Sequence, residues 1–314
     1  MTTATPERPL AERYPDLDPT YAAMLDVRAA TAAPLTDLTV DELRERIRIG
    51  DQLAAPGPDM LDVEDVLVDG KLLVRRYLPH RLLTGTVLIW FHGGGWVTGD
   101  LNYTDGFCRL LADGVGCEVR SVDYRLAPEH PFPAAIEDAL AAVRWTADDD
   151  RRIIVAGDSA GGNLAAVVAQ ELRGQRGVSI VGQVLVYPVL DSDVTDASYR
   201  RNVGMVLSPQ DMSWFFDQYA PDPADRDSSR FAPLRAHSLL GLPPAVIAVG
   251  GHDPLYDEGI AYADRLREVG VPVTLLEFGS LVHGFLRHTG PVSAAADAAT
   301  RIVTATAALI EAAR

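Results

Sequence analysis

The sequence predicts an α/β protein in which helices cover both faces of a mostly parallel β-sheet. Short, uninterrupted apolar runs alternate with helical patterns from residue 87 onwards. Strands that are apolar along their whole length are typical of parallel sheets, because helices bury both faces of such a sheet. One of these runs leads directly into a glycine-containing turn and an alanine-rich helical pattern, which supports the same class.

The elements before the sheet are predicted by local signals. Residues 1–60 carry helical patterns and no strand pattern, and Thr39 with Glu42 three residues later predicts a capping box at a helix start. Two alternating stretches, 63–68 and 72–78, flank an Asp69-Gly70 turn. Alternating strands around an Asp-Gly pair predict a β-hairpin.

The elements of the sheet follow in order. The apolar runs predict strands at 87–91, 119–122, 153–156, 181–187, 245–249 and 273–276. Helical patterns lie between or after them at 105–113, 133–147, 160–172, 256–269 and 294–313. The segment between residues 187 and 245 is longer than a plain crossover needs and is rich in Asp, Ser, Pro and aromatic residues. We interpret it as an insertion over the carboxyl edge of the sheet, joined there by residues 1–60.

Charge and composition exclude several classes of partner. The chain has 28 Lys and Arg against 44 Asp and Glu, a net charge of −16. Such an acidic surface repels phosphate backbones and anionic lipid, so neither nucleic acid nor membrane is expected as a partner. No signal-peptide pattern and no long apolar run are present, so a cytoplasmic protein is expected. Cys108 and Cys117 lack metal-ligand spacing, so we expect small buried apolar side chains and no metal site.

The most informative motif is Gly157-Asp158-Ser159-Ala160-Gly161. A strand pattern precedes it and a helical pattern follows, as a nucleophile elbow requires. A catalytic serine needs a sharp, strained turn with small neighbours, and the helix start favours developing negative charge. We therefore interpret Ser159 as a nucleophile.

A second motif, His92-Gly93-Gly94-Gly95-Trp96, follows the strand at 87–91. Glycines let backbone N–H groups approach an oxyanion without interference from a Cβ atom. A loop at this position supplies such donors, and the residue after the nucleophile, Ala160, supplies another. No Gly-Lys-Ser/Thr follows the glycines, which excludes a phosphate-binding P-loop.

The base is sought after the nucleophile, because this arrangement runs in the chain order Ser, acid, His. Of the seven histidines, His252, His283 and His288 lie in the right region. His283 follows the last strand, at the carboxyl edge where a site is expected. His288 is expected at a helix start. We interpret His252, and His92 in the glycine motif, as histidines that fix loops by hydrogen bonds.

The acid is expected to be Asp253, which directly follows the strand at 245–249. Asp257 and Glu258 are the alternatives, although both fall in the next helical pattern. The aromatic residues Trp96, Phe107 and 214–219 are candidates for a substrate pocket, with an ordinary core role equally open.

Taken together, the motifs resemble the hormone-sensitive-lipase-like α/β hydrolases, the bacterial class IV esterases. The resemblance runs in order from His92 to Phe285 and is carried by these segments: His92-Gly93-Gly94-Gly95-Trp96, Asp123-Tyr124-Arg125-Leu126-Ala127-Pro128-Glu129, Gly157-Asp158-Ser159-Ala160-Gly161-Gly162-Asn163, Asp253-Pro254-Leu255, Asp257-Glu258-Gly259 and His283-Gly284-Phe285.

The resemblance implies an α/β-hydrolase fold with an eight-stranded, mostly parallel sheet and a helical cap. Residues 1–60 would be the N-terminal part of the cap and 191–235 its insertion, with 61–190 and 236–314 as the core. Oxyanion donors would be Gly94, Gly95 and Ala160, with Gly93 a less suitable donor. No cofactor or metal is implied. Similar proteins often form homodimers, but no residue of this chain decides the point.

The function expected is that of a serine carboxylesterase acting on short- to medium-chain acyl esters through an acyl-enzyme intermediate. Ser159, Asp253 and His283 would be its catalytic triad, and a small-molecule ester its partner. Two alternatives stay open: an amidase or peptidase with the same triad, and a non-catalytic ligand-binding protein on a hydrolase scaffold.

Overall fold

The protein is described by a computed structural model that covers residues 8–149 and 151–313. The start of the predicted N-terminal helical part, residues 1–7, lies outside the described residues. Eight strands form one sheet in the order β1-β2-β4-β3-β5-β6-β7-β8. They are β1 Asp62–Val68, β2 Leu72–Leu78, β3 Val87–Phe91, β4 Glu118–Asp123, β5 Arg152–Asp158, β6 Ser179–Val186, β7 Ala245–His252 and β8 Val273–Val282.

The sheet confirms the predicted class. β2 is antiparallel to β1 and to β4, and every other neighbouring pair is parallel. The hairpin is confirmed, with Val68 opposite Leu72. In the central strand β3 all five residues are buried. Alternate side chains of β3 enter two separate apolar clusters, one on each face, which explains why its sequence is apolar throughout.

Ten α-helices are present in the part of the chain described. They are α1 Leu10–Arg13, α2 Pro19–Thr31, α3 Val40–Gly50, α4 Asp105–Val115, α5 Ala134–Ala147, α6 Ala160–Glu171, α7 Ala197–Arg201, α8 Pro209–Tyr219, α9 Tyr256–Glu268 and α10 Ser293–Ala312. Helices α4 and α10 pack on one face of the sheet, and α5, α6 and α9 pack on the other. No helix among the described residues is long and apolar enough to cross a membrane.

The helices outside the sheet layers come from two distant segments, residues 10–50 and 197–219. The capping box at the start of α3 is confirmed, since Thr39 and Glu42 bond reciprocally. The two segments contact each other: the Tyr14 hydroxyl donates to the carbonyls of Arg201 and Val203 at 3.0 and 2.9 Å. Cys108 and Cys117 are buried and free, as expected.

The turn from β5 to α6 depends on close packing against β3. A Cβ atom on Gly161 would lie 1.9 Å from the Phe91 carbonyl oxygen and 2.5 Å from that of His92. Both obstacles are backbone atoms, which cannot move without shifting the strand or the loop that follows it. Gly161 therefore lets the first turn of α6 lie directly against the end of β3.

We expect Gly161→Ala to lower the free energy of unfolding by about 2–3 kcal/mol, because the added methyl group forces backbone apart in a packed core. Denaturant unfolding followed by circular dichroism measures the change. Gly85→Ala is the matched control, since a Cβ at Gly85 meets nothing within 4 Å. Equal stability of the two variants would contradict this account of the turn.

Candidate active site

Ser159 lies on the tight turn between β5 and α6. Its backbone angles are φ 55° and ψ −118°. A side chain other than glycine seldom adopts such angles, and strain of about 1–3 kcal/mol persists only where the surroundings fix it. The Ser159 N–H donates to the Val186 carbonyl at 2.9 Å, and its own carbonyl accepts from Asn163 and Val189. These bonds hold the serine at the end of the sheet, with its hydroxyl facing a cavity.

The predicted base and acid lie next to this serine. His283 directly follows β8, and its Nε2 is 3.0 Å from Ser159 Oγ. Its Nδ1 is 2.8 Å from Asp253 Oδ2, and Asp253 directly follows β7. All three residues are buried. Three residues that are distant in sequence thus form one chain of hydrogen bonds at the carboxyl edge of the sheet.

Further bonds fix the orientation of Asp253. Its Oδ1 accepts from the Leu255 N–H at 2.8 Å, and its carbonyl accepts from the Asn202 side chain at 2.9 Å. The carboxylate is therefore bonded on both oxygens, once to the backbone and once to the His283 imidazole.

The two alternative acids are bonded elsewhere. Asp257 pairs with Arg201 at 2.8 Å and accepts from the Ser198 N–H at 2.7 Å. Glu258 is buried and accepts from the N–H groups of Leu190 and Asp191 at 3.1 and 2.6 Å. Asp253 is therefore the carboxylate that contacts His283. Asp257 and Glu258 instead bond to the segment that follows β6, at residues 190–201.

The predicted oxyanion donors have N–H groups without a hydrogen-bond acceptor among the described residues. Gly94 and Gly95 line the same cavity as Ser159. Among the described residues, no hydrogen bond of the structure uses the N–H of Gly94, Gly95 or Ala160. The Gly93 N–H is occupied, since it donates to Asp158 Oδ1 at 2.9 Å. Gly94 has φ 108°, and a Cβ there would lie 2.3 Å from the Thr98 carbonyl oxygen, so glycine is required.

Contacts of Tyr124 and of His92 itself hold the glycine-rich loop. The Tyr124 hydroxyl donates to the His92 carbonyl at 2.7 Å, and the two rings stack at 4.3 Å. Burial lowers the pKa of His92 to about 4, so the ring is neutral. Its Nδ1 lies 2.7 Å from the Gly93 carbonyl, to which it donates. The prediction that His92 fixes this loop is confirmed.

Asp158 links the serine turn to the glycine-rich loop. It is fully buried, and besides the Gly93 N–H it contacts the Tyr187 hydroxyl at 3.4 Å. Burial raises the pKa of Asp158 to about 7, although the Gly93 bond and the nearby His283 act in the opposite direction. The residue before the serine therefore holds the glycine-rich loop, whereas Asp253 is the carboxylate that contacts the histidine.

The other two histidines differ in part from expectation. His252 is the last residue of β7, not a loop residue, and packs edge-on against Tyr14 with ring centroids 5.6 Å apart. His288 ends a short 3₁₀ helix, Phe285–His288, where a helix start was expected. It lines the cavity, and burial with nearby Arg287 and Arg28 lowers its pKa to about 4.

The cavity above Ser159 has a volume of about 740 Å³. Its walls come from the glycine-rich loop, from α2 and α3, and from the segment that ends in α8. Of the aromatic candidates, Trp96 and Phe215 line it. Phe107 instead packs on Trp90 beneath the sheet, with centroids 5.1 Å apart. No three His, Cys, Asp or Glu side chains among the described residues come together as a metal site.

Sequence reasoning missed the side chains that tie the N-terminal helices to the site. Arg44 of α3 forms a two-bond pair with Glu129 at 2.7 Å and donates to the carbonyls of Val97 and Ala127. Arg287 donates to the Ile47 carbonyl and to Asp51, both at 2.8 Å. The only available signal was that Glu129 ends a recognised motif, because the arginines carry no pattern of their own.

Comparisons with known proteins show the family to which the chain belongs. The sequence pattern of a family described as having the alpha/beta hydrolase fold matches residues 88–287. Esterase LipI of Mycobacterium tuberculosis is 42% identical over 93% of this chain and 94% of its own length. Ethyl acetate hydrolase of Pseudomonas putida is 38% identical over 86% of this chain and 92% of its own.

The solved structure of a similar protein shows the same fold as this chain. The hyperthermophilic esterase of the archaeon Pyrobaculum calidifontis superimposes with a TM-score of 0.86 at 34% identity, over 94% of this chain and 99% of that one. The chain therefore belongs to the α/β-hydrolase family, and the resemblance to its hormone-sensitive-lipase-like esterases is confirmed.

We expect Asp158 to make stability depend on pH. Its pKa of about 7 in the folded chain exceeds the value of about 4 for an unfolded aspartate. Between these values the native chain keeps a proton that the unfolded chain releases. The free energy of unfolding therefore falls as pH rises through this window, by up to about 1.4 kcal/mol per pH unit, and levels off above it.

Asp158→Asn removes this proton while keeping an acceptor for the Gly93 N–H. Urea unfolding of both proteins at pH values from 4 to 8 measures the effect. The wild type should lose stability relative to the variant as pH rises to about 7. Asp59→Asn, at an exposed site, controls for the loss of one carboxylate. A wild-type-to-variant difference that stays constant with pH would contradict the raised pKa.

Proposed function

We propose that the protein hydrolyses carboxylic esters with Ser159 as nucleophile, His283 as general base and Asp253 as the acid that orients the histidine. Relatives matched over most of the chain are named as esterases, and the protein is accordingly a serine ester hydrolase. The observation that carries the residue assignment is the chain of hydrogen bonds from Ser159 Oγ through the His283 ring to Asp253.

The first half of the reaction follows from these contacts. Ser159 Oγ attacks the ester carbonyl while His283 Nε2 takes its proton. The Asp253 carboxylate accepts from His283 Nδ1, keeps the basic nitrogen towards the serine and stabilises the imidazolium. Negative charge develops on the carbonyl oxygen, and the N–H groups of Gly94, Gly95 and Ala160 would donate to it. Each such donor contributes a factor of about 10²–10³ in rate.

In the second half of the reaction His283 acts first as a general acid and then again as a general base. His283 gives its proton to the leaving alcohol, which departs and leaves Ser159 acylated. Water then enters, His283 takes a proton from it, and the resulting hydroxide cleaves the acyl-enzyme. Ser159 recovers its proton, so the enzyme returns to its initial state. The mechanism uses side chains and backbone of this chain alone.

The substrate is proposed to be a small ester with a short- to medium-chain acyl group. A cavity of about 740 Å³ is within the ordinary range for sites that enclose small molecules. Leu25, Leu43 and Phe215 give it an apolar lining. We further propose that residues 1–60 and 191–235 form a cap, with 61–190 and 236–314 as the catalytic core, since α2, α3 and α8 each contribute to the cavity walls.

We expect the wild type to hydrolyse p-nitrophenyl esters with highest kcat/KM at short to medium acyl length. Ser159→Ala should lower kcat by at least about 10³-fold, because no nucleophile remains. Release of p-nitrophenolate from acetyl to dodecanoyl esters measures both. Ser213→Ala, a serine whose hydroxyl bonds the Pro209 carbonyl on α8, is the control and should match the wild type. Substantial turnover by Ser159→Ala would refute the nucleophile, and a maximum at dodecanoyl would refute the proposed chain length.

The assignment of the acid has its own test. Asp253→Asn should keep the fold but lower kcat by about 10⁴-fold, because an amide favours the wrong imidazole tautomer. Asp257→Asn is the matched control, since it is the neighbouring carboxylate and pairs with Arg201. We expect its kcat to stay within about threefold of the wild type. The assignment fails if Asp257→Asn is the more impaired of the two.

A further inference from the structure

The cavity that contains Ser159 has an unusual charge for this protein. Among its described lining residues are three arginines, Arg28, Arg46 and Arg287, and neither aspartate nor glutamate. The chain as a whole has 44 acidic residues against 28 basic ones, so most of its surface repels anions. The interior of the cavity has the opposite sign, which favours a negatively charged occupant.

One of the three arginines has its charge balanced by the protein. Arg287 pairs with Asp51 at 2.8 Å and lies over the Tyr103 ring at 4.6 Å. Arg28 and Arg46 differ from it: neither has a carboxylate within ion-pair distance among the described residues. Arg28 and Arg46 are therefore the two arginines of the cavity that make no direct ion pair with a carboxylate of the described residues.

Arg28 of α2 and Arg46 of α3 line the same cavity, and their charges interact. Burial and the charge of Arg46 lower the pKa of Arg28, while Asp211 at the start of α8 acts in the opposite direction. Two neighbouring cations repel each other, and that repulsion falls when an anion lies between them.

Among the described residues, Arg28 and Arg46 each donate to a single backbone carbonyl. Arg28 donates through one terminal nitrogen to the Val206 carbonyl at 3.2 Å, and Arg46 donates through one to the Ala33 carbonyl at 2.9 Å. A guanidinium has five N–H donors in a fixed planar fork that matches the two oxygens of a carboxylate. The carbonyl bonds fix the position of each side chain and leave N–H groups for a ligand.

We propose that the cavity selects esters that also carry a carboxylate, which Arg28 and Arg46 bind while Ser159 attacks the ester carbonyl. The proposal rests on the proposed ester hydrolysis and names its substrate class. Ser159 and both arginines line one continuous cavity, with apolar residues such as Leu43 and Ile47 also in its wall. The substrate fitted by this arrangement has an ester and a carboxylate separated by an aliphatic segment.

Two pairs of esters test the proposal on the wild type and locate the carboxylate. Monomethyl adipate against methyl hexanoate puts the charge on the acyl side. 6-Acetoxyhexanoate against hexyl acetate puts it on the alcohol side. We expect the charged member of at least one pair to have kcat/KM about tenfold higher, mainly through a lower KM, since a charge-assisted bidentate bond contributes to binding. This preference should shrink as salt is raised.

Variants then assign the preference to the two arginines. In Arg28→Gln/Arg46→Gln the ratio of charged to neutral kcat/KM should fall to about one, whereas Arg28→Lys/Arg46→Lys should keep part of it because the charge remains. Arg173→Gln is the matched control: Arg173 also donates to backbone carbonyls, those of Ser238 and Leu240, but lies outside the cavity. It should keep the whole preference.

The outcomes separate this inference from the proposed function. Turnover of neutral esters with no preference for either charged one overturns the carboxylate site and leaves ester hydrolysis standing. No turnover of any of the four esters or of p-nitrophenyl esters overturns both. A preference that survives in Arg28→Gln/Arg46→Gln refutes the role of the arginines. If that variant does not fold, the wild-type ratios and the lysine variant decide.

Discussion

The packing around Ser159 holds this residue in a strained backbone conformation that an isolated chain would not keep. Its φ of 55° and ψ of −118° cost about 1–3 kcal/mol, so the fold must fix the turn from several sides. The Ser159 N–H donates to the Val186 carbonyl, which ties the turn to β6. Gly161 lets α6 approach the Phe91 carbonyl. The hydroxyl therefore has one position relative to the sheet, and His283 and Asp253 can be placed to meet it.

The same turn also holds the glycine-rich loop, 92–96, in place. Asp158 and Ser159 are adjacent and point to different partners, so the side chain before the nucleophile is free to accept from the Gly93 N–H. Because that N–H is occupied, the proposed oxyanion donors from this loop are the next two N–H groups, those of Gly94 and Gly95. A buried carboxylate costs free energy, as its raised pKa indicates, and that cost is the consequence of fixing two active-site segments through one residue.

The chain as a whole and the wall of its cavity differ in the sign of their charge. The net charge of −16 makes the outer surface acidic on average, whereas the cavity wall contains arginines and lacks carboxylates among the described residues. A small anionic ester could still enter, because screening limits the outer field to about 10 Å in ordinary salt. Two segments far apart in sequence supply this wall: Arg28 of α2 donates to the Val206 carbonyl just before α8. The proposed catalytic residues thus lie at the carboxyl edge of the sheet. Two of the arginines of the cavity, Arg28 and Arg46, lie on the helices α2 and α3.

The sequence alone was sufficient for the parts of this protein that local patterns encode. The apolar run of β3, the Asp69-Gly70 hairpin, the Thr39 capping box and the glycines around Ser159 each reflect a local physical requirement. Chain order limited the acid and the base to a few residues, and position directly after a strand favoured Asp253 and His283. Only the tertiary structure decided which arginines line the cavity, where His288 lies and how Asp158 meets Gly93. Those contacts join residues from distant segments, so no local pattern predicts them. The sequence around a single arginine in a helix does not show whether its side chain faces a cavity or the solvent.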